Sequence, residues 1–475
     1  TALVTTSGFT DVLHAARAAR PTLYDSDWDP APALVSRRDT HTVRQRTTYE
    51  GEVIEDLDEE SLRAIAAKLR EQGTEAVAIN FLHSYINGEH ERRARDILGE
   101  ELPNAYVSIS SDILPEIREF ERTSTTVVNA YLGPVLDRYL SALSERLRDF
   151  GYDGPMLITH SGGGVMSVEA AREIPARICQ SGPAAGVMAG ANLGRATDRP
   201  NVINLDVGGT SADVSLARGG RPLIRAEWNI NFNITINFPS VDVATIGAGG
   251  GSIARVDTGG VLKVGPESAG ARPGPACYRQ GGEAPTVTDA NLVLGRLGAD
   301  TKLAGRVALG LDLAQTAVDQ VAGPLGCSRD EAAAGILSIM RANMTGAIRL
   351  MTVRRGHDPR EFALAAFGGA GPLHALELAK ELGIPEVVIP YVPGLGSALG
   401  VLSVDVRHDF VQSIFATNSR FDVTEINDAF ADLEARAYGR LTEEGVSDDR
   451  VALHRQLDVR YYGQVSGGLT LDAGQ

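Results

Sequence analysis

Residues 201–216 read NVINLDVGGTSADVSL, and this stretch decides the fold. An apolar run ends at Asp206, two glycines and two hydroxyl residues follow, and an alternating run then carries Asp213. The pattern predicts two strands joined by a tight turn. One acid stands at the end of the first strand, and the other stands near the start of the second.

The turn between these strands has the composition of an anion-binding loop. Gly208 and Gly209 allow a positive φ and a close approach to the backbone, while Thr210 and Ser211 add O–H donors. Successive backbone N–H groups at such a turn form a nest that binds phosphate oxygens. The alternative is a plain β-turn beside solvated acids.

The two acids need a separate explanation, because a carboxylate and a phosphate repel each other. Asp206 suits the turn if Mg²⁺ or its water ligands lie between the two anions, or if the carboxylate accepts a proton. Asp213 can act in the same way from the returning strand. Asp206 and Asp213 are therefore the predicted catalytic residues, and Asp206 is the predicted metal contact, directly or through water.

A second glycine turn follows about 160 residues later, in AFGGAGPLHA at 366–375. An apolar strand ends there and a helix begins, with proline in its first turn, and the N-terminus of a helix favours an anion. Three glycines leave room for a flat ring or a ribose beside the backbone: Gly368, Gly369 and Gly371. His374 either approaches the ribose or packs in the interior. The alternative for the whole segment is an ordinary strand-to-helix turn.

A third glycine cluster lies in VDVATIGAGGGSIA at 241–254, where Asp242 precedes the loop Gly249 to Gly251. Gly249 and Gly250 either line a ligand cleft or form a structural turn. This loop is not placed between a strand and a helix, so it is not a Rossmann fingerprint. The chain also contains no Gly-Lys dipeptide, which excludes a P-loop.

Other polar residues are assigned structural roles first. They are Asp289 and Asn291 as helix caps, His160 as a hydrogen-bonded core residue, and Glu116, Glu119 and Glu121 as a solvated helical face. Arg272 either reaches a phosphate or acidic substrate or lies in a surface loop. The nine histidines show no HxH or HExxH spacing, which argues against a zinc site held by the protein.

Composition limits the classes of function. The net charge of −16 is spread along all 475 residues, which argues against a nucleic-acid partner. Three cysteines, far apart and without a CxxC, indicate a reducing compartment, so we expect a cytoplasmic protein. No apolar run of about 18 residues exists, so the sequence predicts no membrane span.

The order of elements predicts an α/β fold in three parts. Residues 1–200 alternate β and α, which implies a largely parallel sheet, and a helix over 123–151 contains Pro134, where we expect a kink or a break. Residues 201–405 form a second α/β block with both glycine turns. Residues 406–475 begin a further C-terminal region.

Ten stretches together carry a specific resemblance. In chain order they are TTSGFTDVL, REFERTSTTVVNAYLGPVL, QSGPAAGV, NLDVGGTSADVSL, VDVATIGAGGGSIA, SAGARPGPACY, PTVTDANLVLGRL, MTVRRGHDPREF, AFGGAGPLHA and VRHDF. With these motifs the chain resembles the large, ATP-using subunit of the hydantoinase/5-oxoprolinase family, relatives of which serve in ATP-dependent ketone carboxylases. The match spans nearly the whole chain.

The resemblance implies an actin-like ATPase fold, in which two ribonuclease-H-like halves enclose a nucleotide cleft. It implies ATP with Mg²⁺ or Mn²⁺, and transfer of the γ-phosphate to a carbonyl oxygen of the substrate. It also implies a companion B-type subunit and a homo-oligomer. Family members carry a first phosphate motif of the DxGGTxTD type upstream of TTSGFTDVL. Residues 1–200 lack it, so we expect them to be the remainder of the first half.

Three functions follow from this resemblance. The first is an ATP-dependent cyclic amidase acting on a hydantoin, a lactam or 5-oxoproline. The second is a subunit of a ketone (acetone or acetophenone) carboxylase that phosphorylates an enolate. The third, from another class, is a non-catalytic scaffold subunit with a decayed nucleotide site. The first is preferred, although the phosphate motifs are common to the first two.

Overall fold

The computed structural model describes residues 1–473 except a few positions in four segments. The positions not described are 19, 21, 23, 26, 30, 301, 304, 306, 415, 418, 420, 462 and 465–467, together with 474 and 475.

The N-terminal body, residues 2–149, is built on a parallel sheet. Its strands are β1 (Ala2–Thr6), β2 (Thr40–Val43), β3 (Arg46–Thr47), β4 (Val53–Glu55), β5 (Ala76–Asn80) and β6 (Tyr106–Ile109), and its helices are α1 (Val12–Ala15), α2 (Glu59–Glu71), α3 (Glu89–Glu101), α4 (Ser110–Ile113) and α5 (Glu119–Asp149). The sheet order is β2-β1-β5-β6, and all three pairings are parallel. The predicted parallel sheet is therefore confirmed for this body.

Helix α5 tests two predictions. It continues through Pro134 as one helix of 31 residues, so a break at the proline is contradicted, and the kink stays a prediction. Its first turns are buried, and Glu121 there forms an ion pair with Arg17 at 2.9 Å. The expectation of a solvated glutamate face was thus wrong for Glu121, because tertiary packing covers this end of the helix.

A short connecting segment leads to the second sheet. It contains β7 (Leu157–Thr159), β8 (Val165–Ser167), α6 (Val168–Glu173) and α7 (Ser181–Ala196). Helix α7 packs on the second sheet, where Gly190 and Gly194 lie against Asn204 and Val202. The second packing unit therefore starts before residue 200.

The central body, residues 181–402, contains the second sheet and most of the remaining elements. Its strands are β9 (Val202–Val207), β10 (Ala212–Arg218), β11 (Arg221–Pro222), β12 (Ile224–Arg225), β13 (Trp228–Asn231), β14 (Ile234–Ile236), β15 (Ser240–Val241), β16 (Val243–Ile246), β17 (Ser252–Val256), β18 (Leu262–Ser268), β19 (Lys302–Leu303), β20 (Val307–Ala308), β21 (Ala363–Phe367) and β22 (Glu386–Val388). Besides α7, its helices are α8 (Val287–Val293), α9 (Leu311–Leu325), α10 (Arg329–Met351), α11 (Gly371–Leu382) and α12 (Gly396–Val401).

The second sheet has the order β11-β10-β9-β21-β22, and β16 also pairs with β10. Strands β16, β10 and β9 are antiparallel, whereas β21 and β22 run parallel to β9. Three antiparallel strands are therefore followed by two parallel strands across this sheet. Each body has its own sheet, so the predicted α/β class is confirmed.

The largest hydrophobic core lies between this sheet and helix α10. Ile203, Leu205 and Val207 alternate along β9 and pack with Ile336 and Met340 of α10. This alternation leaves Asn204 and Asp206 on the opposite face of the sheet. The sheet therefore buries its apolar face on α10 and turns its polar residues toward α7.

The C-terminal region contains α13 (Val423–Glu443), β23 (Gln456–Val459) and β24 (Leu469–Asp472), and most of its described residues are exposed. It is attached through a buried pair in which His408 Nε2 lies 2.7 Å from Glu444 Oε2. Glu444 also accepts the backbone N–H of Ser167 at 3.1 Å.

Two predictions from composition are tested by the described part of the chain. No helix there combines the length and apolarity required to cross a membrane. Cys179, Cys277 and Cys327 are all free thiols, as their spacing predicts.

Candidate functional site

Strand register brings the two predicted acids together. Asp206 on β9 lies directly opposite Asp213 on β10, and Phe367 at the end of β21 lies beside Asp206 on the other side. Directly opposed residues on antiparallel strands project to the same face, so the two carboxylates are neighbours at one edge of the sheet. The turn from Gly208 to Ser211 joins their strands immediately above them.

Burial makes both carboxylates harder to ionise, and the charge of Asp206 adds to this effect at Asp213. Burial raises the pKa of Asp206, and a hydrogen bond from Ser397 partly offsets this. Burial also raises the pKa of Asp213, the hydrogen bond with Thr245 opposes the rise, and the charge of Asp206 adds to it. Both causes point to a site that is incomplete without a positive charge.

The glycine loop Gly249 to Gly251 is stacked directly on the turn from Gly208 to Ser211. The N–H of Gly250 donates to the Gly208 carbonyl at 2.9 Å, and the N–H of Gly251 donates to the Gly209 carbonyl at 2.6 Å. A methyl group at Gly249 would lie 2.6 Å from backbone atoms of Gly209 and Thr210. A side chain does not fit there, so the loop shapes the turn from one side.

The glycine segment 368–371, which follows β21, lies against β9. Gly368 has φ +79°, and a methyl group on it would lie 2.5 Å from the Val207 carbonyl oxygen and closer still to Oδ1 of Asp206. The N–H of Ala370 donates to the same Val207 carbonyl at 2.9 Å. Gly369 differs, because it is exposed and a methyl group on it would meet no atom within 4 Å.

The three segments therefore converge, but the predicted residues differ in exposure. Gly209, Thr210 and Gly369 are exposed. Gly249, Gly250 and Gly371 are buried, and Gly208, Ser211 and Gly368 are intermediate. The exposed members form the part of the site that is open to a ligand, and the buried members support it from behind.

His374 lies in the first turn of α11 and is only 2% exposed. Burial lowers its pKa to about 4, so the ring is neutral at pH 7. Its Nε2 atom is buried and has no hydrogen-bond partner among the described residues. The ring therefore lies in the interior of the protein.

Sequence reasoning missed three hydroxyl residues in this site. Ser397 of α12 donates to Oδ2 of Asp206 at 2.9 Å. Thr288 donates its hydroxyl to the Gly250 carbonyl at 2.8 Å, and the hydroxyl of Ser252 accepts the N–H of Gly249 at 2.9 Å. The run GLGSALG at 394–400 was the available signal for Ser397, since small residues on a helix permit close packing.

Most of the remaining candidates have structural roles. Asp289 completes a capping box with Thr286 on α8, as the helix-cap interpretation predicts. Asn291 lies inside that helix and donates to the Val287 carbonyl at 3.0 Å. His160 accepts the N–H of Gly162 at Nδ1, and its Nε2 lies 3.0 Å from the Arg407 carbonyl, so it is the predicted packed histidine.

Three further candidates lie outside the converging turns: Asp242, Arg272 and Glu116. Asp242 is buried and forms an ion pair with Arg355 at the start of β16, whereas the glycine loop follows the end of that strand. Arg272 is exposed. Glu116 accepts the Asn237 amide at 2.7 Å, and burial raises the pKa of Glu116 to about 7, contrary to the predicted solvated face.

The residues at the sheet edge fit a divalent cation bound together with a phosphate. Asp206 and Asp213 supply adjacent carboxylates, and Oδ1 of Asp213 is buried without a hydrogen-bond partner in the described part of the chain. Hard cations such as Mg²⁺ take oxygen ligands of this type. Among the described residues no group of three or more His, Cys, Asp or Glu can hold a metal alone. A cation here would complete its coordination with phosphate or water oxygens.

These features define the class: a mixed α/β protein with paired carboxylates beneath three glycine turns. The Hydantoinase/oxoprolinase family model matches residues 122–410, and the model of the N-terminal region of that family matches residues 1–102. The chain therefore belongs to the hydantoinase/oxoprolinase family, which confirms the resemblance inferred from its motifs.

Similar proteins include subunits of ATP-dependent enzymes. The chain is 39% identical to caprolactamase subunit alpha of Pseudomonas jessenii over 93% of this chain and 64% of that protein. It is 36% identical to the acetophenone carboxylase gamma subunit of Aromatoleum aromaticum over 92% of this chain and 61% of that protein. The crystal structure of the ATP-dependent caprolactamase from Pseudomonas jessenii superposes with a TM-score of 0.87 at 36% identity, over 100% of this chain and 69% of that one. This chain thus spans less than two thirds of the length of these two curated relatives.

Proposed function

We propose that this chain forms the ATP site of an enzyme that phosphorylates a carbonyl oxygen of a cyclic amide of the hydantoin, lactam or 5-oxoproline type. The observation that carries the proposal is the opposed pair Asp206 and Asp213, placed beneath a turn in which Gly209 and Thr210 are exposed. The similarity to an ATP-dependent caprolactamase supports it.

The turn from Gly208 to Ser211 binds the phosphate chain in this proposal. Gly209 and Thr210 are exposed, so their backbone N–H groups and the Thr210 hydroxyl are available to phosphate oxygens. Gly250 and Gly251 donate to carbonyls of the same turn and so hold its N–H groups in place. Preorganised donors of this kind stabilise transferring phosphoryl groups, since no reorganisation is needed during the reaction.

Asp206 and Asp213 hold the metal ion that accompanies ATP, Mg²⁺ or Mn²⁺, directly or through its water ligands. When bound, the ion neutralises charge on the phosphates. The carboxylates orient it, and the ion in turn favours their charged form, because burial raises the pKa of both groups and the charge of Asp206 adds to the rise at Asp213. The same pair can accept a proton when the site holds substrate.

The adenosine end of ATP lies along the glycine segment 368–371. Gly369 is exposed and has open space beside its Cα, which leaves room for the ribose or the base. Gly368 and Gly371 keep the backbone close to β9, and His374 packs behind them as a neutral ring. In the actin-like arrangement that we infer, the N-terminal body closes the other side of the cleft.

The transfer step exchanges one P–O bond for another. The carbonyl oxygen of the amide forms a bond to the γ-phosphorus, the bond from that phosphorus to the β–γ bridging oxygen breaks, and ADP departs. The O-phosphorylated amide carbon is more electrophilic than the parent carbonyl. Water then adds to that carbon, the ring C–N bond breaks, and a second water releases phosphate from the acyl group.

A ketone carboxylase subunit is the second candidate, because the chain is also 36% identical to an acetophenone carboxylase gamma subunit. There the phosphorylated oxygen would belong to an enolate. A scaffold with a decayed nucleotide site is less well supported, since the paired acids and the closely packed glycine segments are all present.

We also propose a companion B-type subunit and a homo-oligomer, because the named relatives are alpha and gamma subunits. A cytoplasmic location suits the three free thiols, since oxidising compartments favour disulfides.

The test is phosphate release by the complete protein, assayed with any companion subunit it requires. Release with ATP and a lactam alone supports the amidase, whereas release that needs bicarbonate and a ketone supports the carboxylase. Asp206→Asn should lower release by at least about 100-fold, because electrostatic preorganisation of this kind is worth that factor. Asp257→Asn, at the exposed tip of the β17–β18 hairpin, is the matched control. Undiminished release by Asp206→Asn would refute the proposal.

A further inference from the structure

Asp206 has a hydrogen-bond donor that reaches it from a distant part of the chain. Ser397, 191 residues later, donates its hydroxyl to Oδ2 of Asp206 at 2.9 Å. The other oxygen, Oδ1, lies against Gly368, where there is no room for a Cβ. The two carboxylate oxygens are therefore confined by different segments, and Ser397 supplies the directional contact.

Close packing of α12 places Ser397 at this distance. A methyl group at Gly396 would lie 2.7 Å from the Phe367 ring, and one at Gly400 would lie 2.9 Å from the Ala185 carbonyl carbon and closer still to its oxygen. Only glycine allows both approaches. The two glycines, on either side of Ser397, set α12 against α7 and against the end of β21.

Helix α7 also leaves space for the hydroxyl. A methyl group at Gly186 would lie 3.1 Å from Oγ of Ser397 and 3.3 Å from Oδ2 of Asp206. In addition, the N–H of Gly368 donates to the Pro393 carbonyl at 2.9 Å, so the glycine turn after β21 is tied to the segment that leads into α12. Helix α7, helix α12 and the glycine turn after β21 thus converge on the contact between Ser397 and Asp206.

We propose that Ser397 is a positioning residue, which holds the Asp206 carboxylate in the orientation that phosphoryl transfer requires. This inference rests on the proposed function, since it assigns Asp206 to that reaction. Without the hydroxyl the carboxylate keeps its place on β9, but it gains rotational freedom about its side-chain bonds. A loss of orientation lowers the rate of the chemical step more than it weakens ATP binding.

The experiment measures ATP-dependent phosphate release by the complete protein, in parallel for wild type, Ser397→Ala, Ser397→Thr and Ser403→Ala. Ser403 follows the same helix and bonds the carbonyls of Leu399 and Gly400, so its variant controls for disturbance of α12. We expect Ser397→Ala to lower kcat about tenfold with the KM for ATP within about twofold. Threonine retains the hydroxyl, so Ser397→Thr should recover most of kcat, and Ser403→Ala should match wild type.

Two kinds of result would overturn the inference. One is a wild-type kcat for Ser397→Ala, or a change confined to KM. The other is an equal loss in Ser397→Thr and Ser397→Ala, which would show that shape matters and the hydroxyl does not. Asp206→Asn is assayed beside them: if it retains full turnover, the proposed function fails, whereas an inactive Asp206→Asn with a normal Ser397→Ala refutes the positioning role alone.

Discussion

Gly368→Ala is the substitution that tests the convergence of the glycine segments most directly. At φ +79° an alanine pays a steric penalty of about 1–2 kcal/mol that glycine does not. Its methyl group would lie 2.7 Å from Val207 N, 2.5 Å from Val207 O and closer still to Oδ1 of Asp206. Real Cβ atoms essentially never approach so closely, so β9 or the Asp206 carboxylate must move by roughly 1 Å.

The expected loss of stability combines both effects. Overpacking of a tight interior costs about 1–3 kcal/mol in addition to the backbone penalty, so the free energy of unfolding should fall by about 2–5 kcal/mol. A misplacement of about 1 Å at a reacting group lowers a rate by roughly 100-fold. ATP-dependent phosphate release should therefore fall by about that factor even at temperatures where the variant stays folded.

The neighbouring residue provides the matched control. Gly369 has open space where a Cβ would lie and does not have a left-handed φ, so Gly369→Ala should change the free energy of unfolding by less than about 1 kcal/mol. Urea titration followed by circular dichroism measures both variants, and phosphate release is assayed in the same preparations. Equal stability of Gly368→Ala and Gly369→Ala would refute the packing argument.

Two further predictions concern buried carboxyl groups. Asp213→Asn should raise the free energy of unfolding by about 1 kcal/mol, because it removes a buried charge with an unpartnered oxygen. The same variant should abolish phosphate release. Thermal unfolding and a turnover assay test both effects, and a variant that is less stable but still active would contradict the prediction. Glu116→Gln tests the carboxyl whose pKa burial raises from 4.5 to about 7. The unfolded chain loses this proton first, so wild-type stability should fall by up to about 3 kcal/mol as pH rises from about 4.5 to 7. The glutamine variant should lack that fall in stability. Urea unfolding midpoints of both proteins at pH 5 and pH 8 test this. If the difference between the two proteins is the same at both pH values, the raised pKa does not belong to Glu116.

The sequence was sufficient wherever structure depends on near neighbours. The stretch 58–73 has an acidic start, apolar residues at helical spacing and a final glycine; it forms α2, whose N-cap Asp58 accepts the N–H of Ser61. The Arg-Gly-Gly stretch at 218–220 has the composition of a hairpin turn, and it forms the β10–β11 turn, where Gly219 and Gly220 have positive φ. Caps, turns and helix periodicity involve residues within four positions of each other, so a single sequence contains their determinants.

The sequence was insufficient where burial comes from distant segments. Pro134 was predicted to kink or break its helix, and the structure shows no break there. Glu116 was predicted on a solvated face but has its pKa raised by burial. The burial of Glu116 is not encoded locally, because the residues around it belong to other parts of the chain. Asn237, which donates to Glu116, is 121 positions away.

By itself, the amino-acid sequence determined the chemistry of each turn: glycines for close approach, hydroxyls for donors, and acids at strand ends. Only the tertiary structure decided that Asp206 lies opposite Asp213, that Gly250 rests on Gly208, and that Ser397 reaches Asp206. The physical reason is that strand register and helix packing are set by contacts between segments far apart in the chain. A local pattern specifies what a segment can bind, whereas the packed core specifies which segments bind together.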